Sequence, residues 1–133
     1  MAKYRKSAER PLSPHLQIYR LTMTMLMSIA HRISGATLYF GTFLLAWWLI
    51  AAASSESYFN HVNVLFSSPV GRLILLGYTW ALIHHMLGGM RHLLWDTGSG
   101  FGKKTLEVLA YGTLLGSIAL TILIWFVGYW VRG

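Results

Sequence analysis

ISGATLYFGTFLLAWWLIAAA, residues 33 to 53, decides the fold class. It carries no charged side chain over 21 residues. As a helix it extends about 31 Å, the thickness of a bilayer's hydrocarbon core. That core offers no water to backbone groups, so a spanning segment must bond to itself, and a helix does so. Two further stretches share the pattern, from Pro69 to about Trp95 and from about Thr105 to Trp130, the last with one acid, Glu107, at its start. Ser68 reads as an N-cap and Pro69 as the first helical residue of the second stretch. The first extends back to near Thr22. The expectation is an all-α integral membrane protein with three transmembrane helices at about 22–53, 69–95 and 105–130, following an N-terminal segment 1–21. The linkers are SSESYFNHVNVLFSS (54–68) and DTGSGFGKK (96–104), the second a turn by its Gly and Ser content.

Composition agrees. Of 133 residues, 55% are hydrophobic and 11% charged, against about 25% charged in an ordinary soluble domain. The net charge of +7 is not spread over a face. Lys3, Arg5, Lys6, Arg10 and Arg20, five of the eleven basic residues, fall in the first twenty positions. A basic flank before an apolar segment sets membrane orientation. The first linker has no Lys or Arg, the second has Lys103 and Lys104, and the C-terminus has Arg132. The positive-inside rule therefore predicts a cytoplasmic N-terminus and second linker. No cysteine is present, which excludes disulfides, thiolate-held iron–sulfur clusters and CxxCH haem attachment in this chain. No GxGxxG marks a dinucleotide site. The segment after the basic flank, PLSPHLQIYR (11–20), lacks the short apolar stretch of a signal peptide.

The start of the first helix and the end of the second then share the cytoplasmic side, and the polar residues gather there. SIAHR (28–32) opens one and HHMLGGMRHLLWD (84–96) closes the other. Ser28, His31 and Arg32 share a helix face, as do His85, Gly89, His92 and Asp96. His85 lies about 10 Å along the axis from His92 and so is deep in the bilayer. His84 points about 100° away, toward the face of Gly88 and Arg91. A neutral imidazole has an acceptor nitrogen able to bind haem iron. Arginines at the polar end match haem propionates. The structural alternatives are that these histidines bond neighbouring helices, that Arg91, His92 and Asp96 form an interfacial belt, and that Ser28 bonds back to its own helix. The GxxxG at Gly112 and Gly116 reads as close helix packing.

Three segments together, RPLSPHLQIYR (10–20), SIAHRISG (28–35) and HMLGGMRHLLWD (85–96), resemble the cytochrome b membrane-anchor subunits of succinate dehydrogenase, respiratory Complex II. That family's pattern H-x-x-x-G-x-R-H-L-x-x-D is met by His85, Gly89, Arg91, His92, Leu93 and Asp96. The resemblance implies a haem-binding helical bundle completed by a partner subunit. It implies His85, not His84, as an axial ligand of a single haem b, with the other ligand from a second small membrane-anchor subunit. It implies Ser28 and Arg32 at the ubiquinone site, and His31 and Arg32 near the haem propionates; Arg91 and His92 join them as candidate pocket residues. A flavoprotein and an iron–sulfur subunit would complete the enzyme, with electrons from succinate reaching ubiquinone and no activity expected of this chain alone. The expected location is a bacterial inner membrane, with a mitochondrial inner membrane as the second choice. Two other readings stay open at this point: the anchor of another quinone-linked cytochrome such as fumarate reductase, and a non-redox small transporter.

Overall fold

The computed structural model describes residues 20–133. The expected N-terminal segment 1–21, and with it the motif residues Arg10 to Tyr19, lies outside the described residues except for Arg20 and Leu21. Four helices follow in order, α1 (Met23–Ser54), α2 (Glu56–Ser67), α3 (Pro69–Asp96) and α4 (Lys103–Arg132), and no strand occurs among the described residues. Of these, α1, α3 and α4 are long and apolar enough to cross a membrane. Their ends differ by one or two residues from the expected spans. Thr22 stands at the N-cap of α1. Ser68 caps α3 as expected, its hydroxyl accepting from Gly71 N–H at 3.1 Å, with Pro69 at the first position.

The helix α2 departs from the sequence reading, which treated residues 54–68 as a linker. Ser55 caps it by accepting from Tyr58 N–H. Phe59, Val62, Asn63 and Phe66 form its inner face, with Val62 wholly buried, while His61 on the outer face is exposed. Polar on one side and apolar on the other, it is too short to span and suits the bilayer boundary. Trp47 Nε1 donates to Tyr58 Oη at 2.7 Å and Trp48 Nε1 to Asn63 Oδ1 at 3.0 Å, pinning α2 to the end of α1. The corner into α3 is tight: a side chain at Gly71 would strike the backbone of Leu65 and Phe66.

Packing inverts the soluble pattern. Large apolar side chains such as Phe40, Leu73 and Ile122 face outward, where lipid would meet them. The seams are small or polar: Ser34 and Gly41 on α1, Ala81 and Gly88 on α3, and Ala110, Thr113, Ser117 and Thr121 on α4. In lipid, helices gain little by hiding apolar surface from one another, so close approach between small residues holds them. The α4 hydroxyls return to their own helix; Thr113 donates to Leu109 O and Thr121 to Ser117 O, both at 2.7 Å. Helix α3 packs against both α1 and α4. Gly116 lies against Leu87, whereas Gly112 faces open space, so only one end of the GxxxG makes a close contact.

Candidate functional site

Consecutive residues of a helix point about 100° apart, and at His84 and His85 this sends two imidazoles to different neighbours. His85 faces α1. Its Nδ1 lies 3.2 Å from the His31 carbonyl oxygen and 3.3 Å from Ser34 Oγ. A carbonyl only accepts, so Nδ1 carries the proton. Ser34 Oγ itself donates to the His31 carbonyl at 2.8 Å and presents a lone pair to Nδ1–H. This pattern leaves Nε2 of His85 as the acceptor, the tautomer in which a histidine binds iron.

His31 stacks on His85 with ring centroids 4.1 Å apart and planes 10° from parallel, and lies 5.2 Å from the His92 ring. Two glycines make room. An added Cβ at Gly35 would lie 3.0 Å from Cε1 of His85, and one at Gly88 would strike the His31 ring. Each helix thus offers a glycine to the other's imidazole. Nε2 of His31 is buried without a hydrogen-bond partner. Gly89, by contrast, faces open space.

His84 faces α4 and is wholly buried. Ser117 Oγ gives its hydrogen to Leu114 O at 2.8 Å and so accepts from His84 Nδ1–H at 3.2 Å. Trp80 stacks on the ring at 5.0 Å. Nε2 of His84 has no partner, but protein surrounds it on every side. His85 is half-buried.

Among the expected residues, then, His31, His85 and His92 come together. Arg91 takes the adjoining face with His84 and Gly88; it is buried, and its guanidinium carbon lies 5.1 Å from the centre of the Trp95 ring. Such a cation–π contact offsets part of the desolvation of a buried charge, while Nε of Arg91 and Nε1 of Trp95 stay unpartnered. Arg32 is exposed and Ser28 half-buried, one turn apart on α1. Sequence reasoning missed Ser34 and Gly35, although both stand in the quoted SIAHRISG. It also missed Trp80, one helical turn before His84 and so on the same face of α3, and Ser117, which only the packing of α4 brings to His84.

The residues present suit a haem b. A single half-buried imidazole has its tautomer fixed by a carbonyl and a hydroxyl, with Nε2 left over. A buried imidazole nitrogen, Nε2 of His31, lacks a partner beside it. Glycines thin the helix surfaces around both rings. No cluster of three or more His, Cys, Asp or Glu able to hold a bare metal ion occurs among the described residues.

Comparison with known proteins gives the same direction. Residues 6–124 match the family model described as the succinate dehydrogenase/fumarate reductase transmembrane subunit. The chain is 41% identical over 114 residues to the succinate dehydrogenase cytochrome b556 subunit of Paracoccus denitrificans, covering 86% of this chain and 88% of that one. It is 37% identical over 117 residues to the subunit of the same name from Rickettsia felis, covering 88% of this chain and 91% of the relative. The mitochondrial succinate dehydrogenase cytochrome b560 subunit of Mus musculus is 39% identical over 103 residues, 74% of this chain and 59% of the relative. With three membrane-crossing helices, paired imidazoles between two of them and near full-length similarity, the chain belongs to the succinate dehydrogenase/fumarate reductase transmembrane subunit family.

Proposed function

We propose that this chain is the cytochrome b anchor of a succinate:ubiquinone oxidoreductase, passing electrons from succinate oxidation to ubiquinone in a bacterial inner membrane. The carrying observation is the state of His85: its Nδ1–H is committed to the His31 carbonyl and Ser34 Oγ, leaving Nε2 free to ligate. A single haem b, when bound, would store one electron at a time. His85 would supply one nitrogen to hold the haem, and a second small anchor subunit another. His31, stacked on His85, and His92, next to His31, would line the pocket, with Arg32 and Arg91 as cations for the propionates. Burial of Arg91 against Trp95 favours Arg32 as the more available of the two.

Ubiquinone would bind at the same end of α1. Ser28 and Arg32 form no side-chain hydrogen bond among the described residues. A hydroxyl and a guanidinium one turn apart there would hold a quinone carbonyl and stabilise charge developing on its oxygen. The flavin and iron–sulfur chemistry would belong to a flavoprotein and an iron–sulfur subunit docked on that face; the basic flank and Lys103–Lys104 support a cytoplasmic position for it. A transporter reading has no such support from the relatives.

Arg32→Leu in the assembled complex tests the quinone assignment. Electron transfer from succinate to ubiquinone should fall about ten- to hundredfold, the worth of a charged hydrogen bond. Succinate oxidation by an artificial acceptor that takes electrons upstream of the membrane should persist. Ser28→Ala should act in the same way at about fivefold. Parallel loss of both activities would assign these residues to assembly, and loss of neither would place the quinone elsewhere.

A further inference from the structure

At the end of the bundle opposite the histidines, a cleft of about 560 Å³ opens between α1, α2, α3 and α4. The volume suits a small-molecule site, usually about 300–1,000 Å³. Its lining is divided. Leu44, Leu75 and Ile124 give it an apolar floor, while Arg72 and Arg132 contribute two cations. The chain's topology pairs these arginines, because Arg72 stands in the first turn of α3 and Arg132 in the last turn of α4. Neither guanidinium forms a hydrogen bond or ion pair among the described residues. No Asp or Glu lines the cleft among the described residues. Asn63 adds a donor, since its Oδ1 is taken by Trp48 and its amide N–H groups are left over.

We propose that this cleft holds one anionic phospholipid, its phosphate on Arg72 and Arg132 and an acyl chain along the apolar floor. Two unpaired cations above a greasy channel match an amphiphile with an anionic head. A neutral quinone would leave both guanidiniums without a counter-charge. Arginine suits the task because its planar fork meets phosphate oxygens in pairs. Trp48, Trp125 and Tyr129, also in the lining, are residue types that settle at headgroup depth. The proposal needs only that the chain crosses a membrane and is independent of the haem and quinone assignments.

The test measures lipid retention by the intact detergent-purified complex. Delipidated complex is titrated with dioleoylphosphatidylglycerol, dioleoylphosphatidylcholine or sodium phosphate, and retained lipid is counted by native mass spectrometry. Elution volume reports assembly. Phosphatidylglycerol should be retained in preference to phosphatidylcholine, and inorganic phosphate should not displace it. Each of Arg72→Gln and Arg132→Gln should weaken its retention about fivefold, and the pair about 25-fold. Gly128 lines the cleft and its Cβ position is open, so Gly128→Leu should block the tail and lower retention of both lipids. Gly112→Leu, at an open site outside the cleft lining, should change nothing. Equal retention of the two lipids, an unaffected double arginine variant, displacement by phosphate alone, no lipid on the wild-type complex, or equal loss in Gly112→Leu would each overturn the proposal.

Discussion

Substituting His84 by phenylalanine and His85 by alanine asks which imidazole a haem uses, and the structure sets the magnitudes. His84→Phe removes the bond from Nδ1 to Ser117 Oγ, a loss of about 0.5–1.5 kcal/mol. Ser117 keeps its bond to Leu114, so the change creates no new orphan there. A ring remains against Trp80. The change also removes Nε2, buried without a partner in the native protein, a group that costs about 1–3 kcal/mol. The terms oppose one another and leave stability within about 2 kcal/mol of the native value. His84→Ala empties a fully enclosed site and should cost about 2–4 kcal/mol. Both His84 variants should retain the haem spectrum. His85→Ala loses only a half-buried ring and two long hydrogen bonds, yet it should abolish or alter that spectrum. Reduced-minus-oxidised absorption of the purified complex, with thermal denaturation alongside, separates the outcomes. A spectrum lost in His84→Phe and kept in His85→Ala would refute the reasoning.

Two further substitutions examine the surroundings of His85. Ser34→Ala leaves Nδ1 its carbonyl partner at 3.2 Å, so haem should remain; the midpoint potential should move by no more than about 40 mV, the one-electron equivalent of about 1 kcal/mol, and redox titration followed optically reads it. No shift at all would mean that the hydroxyl does not act on the ligand. Gly88→Val would drive a side chain into the His31 ring and should cost about 1–3 kcal/mol of overpacking with a lower yield of haem-loaded complex, whereas Gly77→Ala, into open space on the same helix, should be neutral or slightly stabilising; similar yields from the two would discount the close contact between His31 and Gly88.

Three membrane-crossing helices were legible because the bilayer imposes a crude requirement, some twenty residues without charge and with every backbone group satisfied inside the segment. The amphipathic α2 escaped notice because no such requirement governs a helix lying at the boundary. Its signals were present in Ser55 as a cap and in Phe59, Val62 and Phe66 at helical spacing, but mixed with the serines and asparagines of a loop. The cluster of His31, His85 and His92 was half legible. Helical period placed His85 and His92 on one face, and resemblance to a family singled out His85 over His84.

Chain order and residue type by themselves determined that this protein lies in a membrane, how many times it crosses, and which end of the bundle gathers its titratable groups. The tertiary structure alone decided what each group meets across the helix seams. It enclosed His84 against Ser117, set His85 against Ser34 and the His31 carbonyl, buried Arg91, and brought Arg72 and Arg132 to one cleft. Hydropathy and period are properties of a single helix. A tautomer, an enclosed ring or two cations lining one cleft depends on which helix packs beside which, and at what distance.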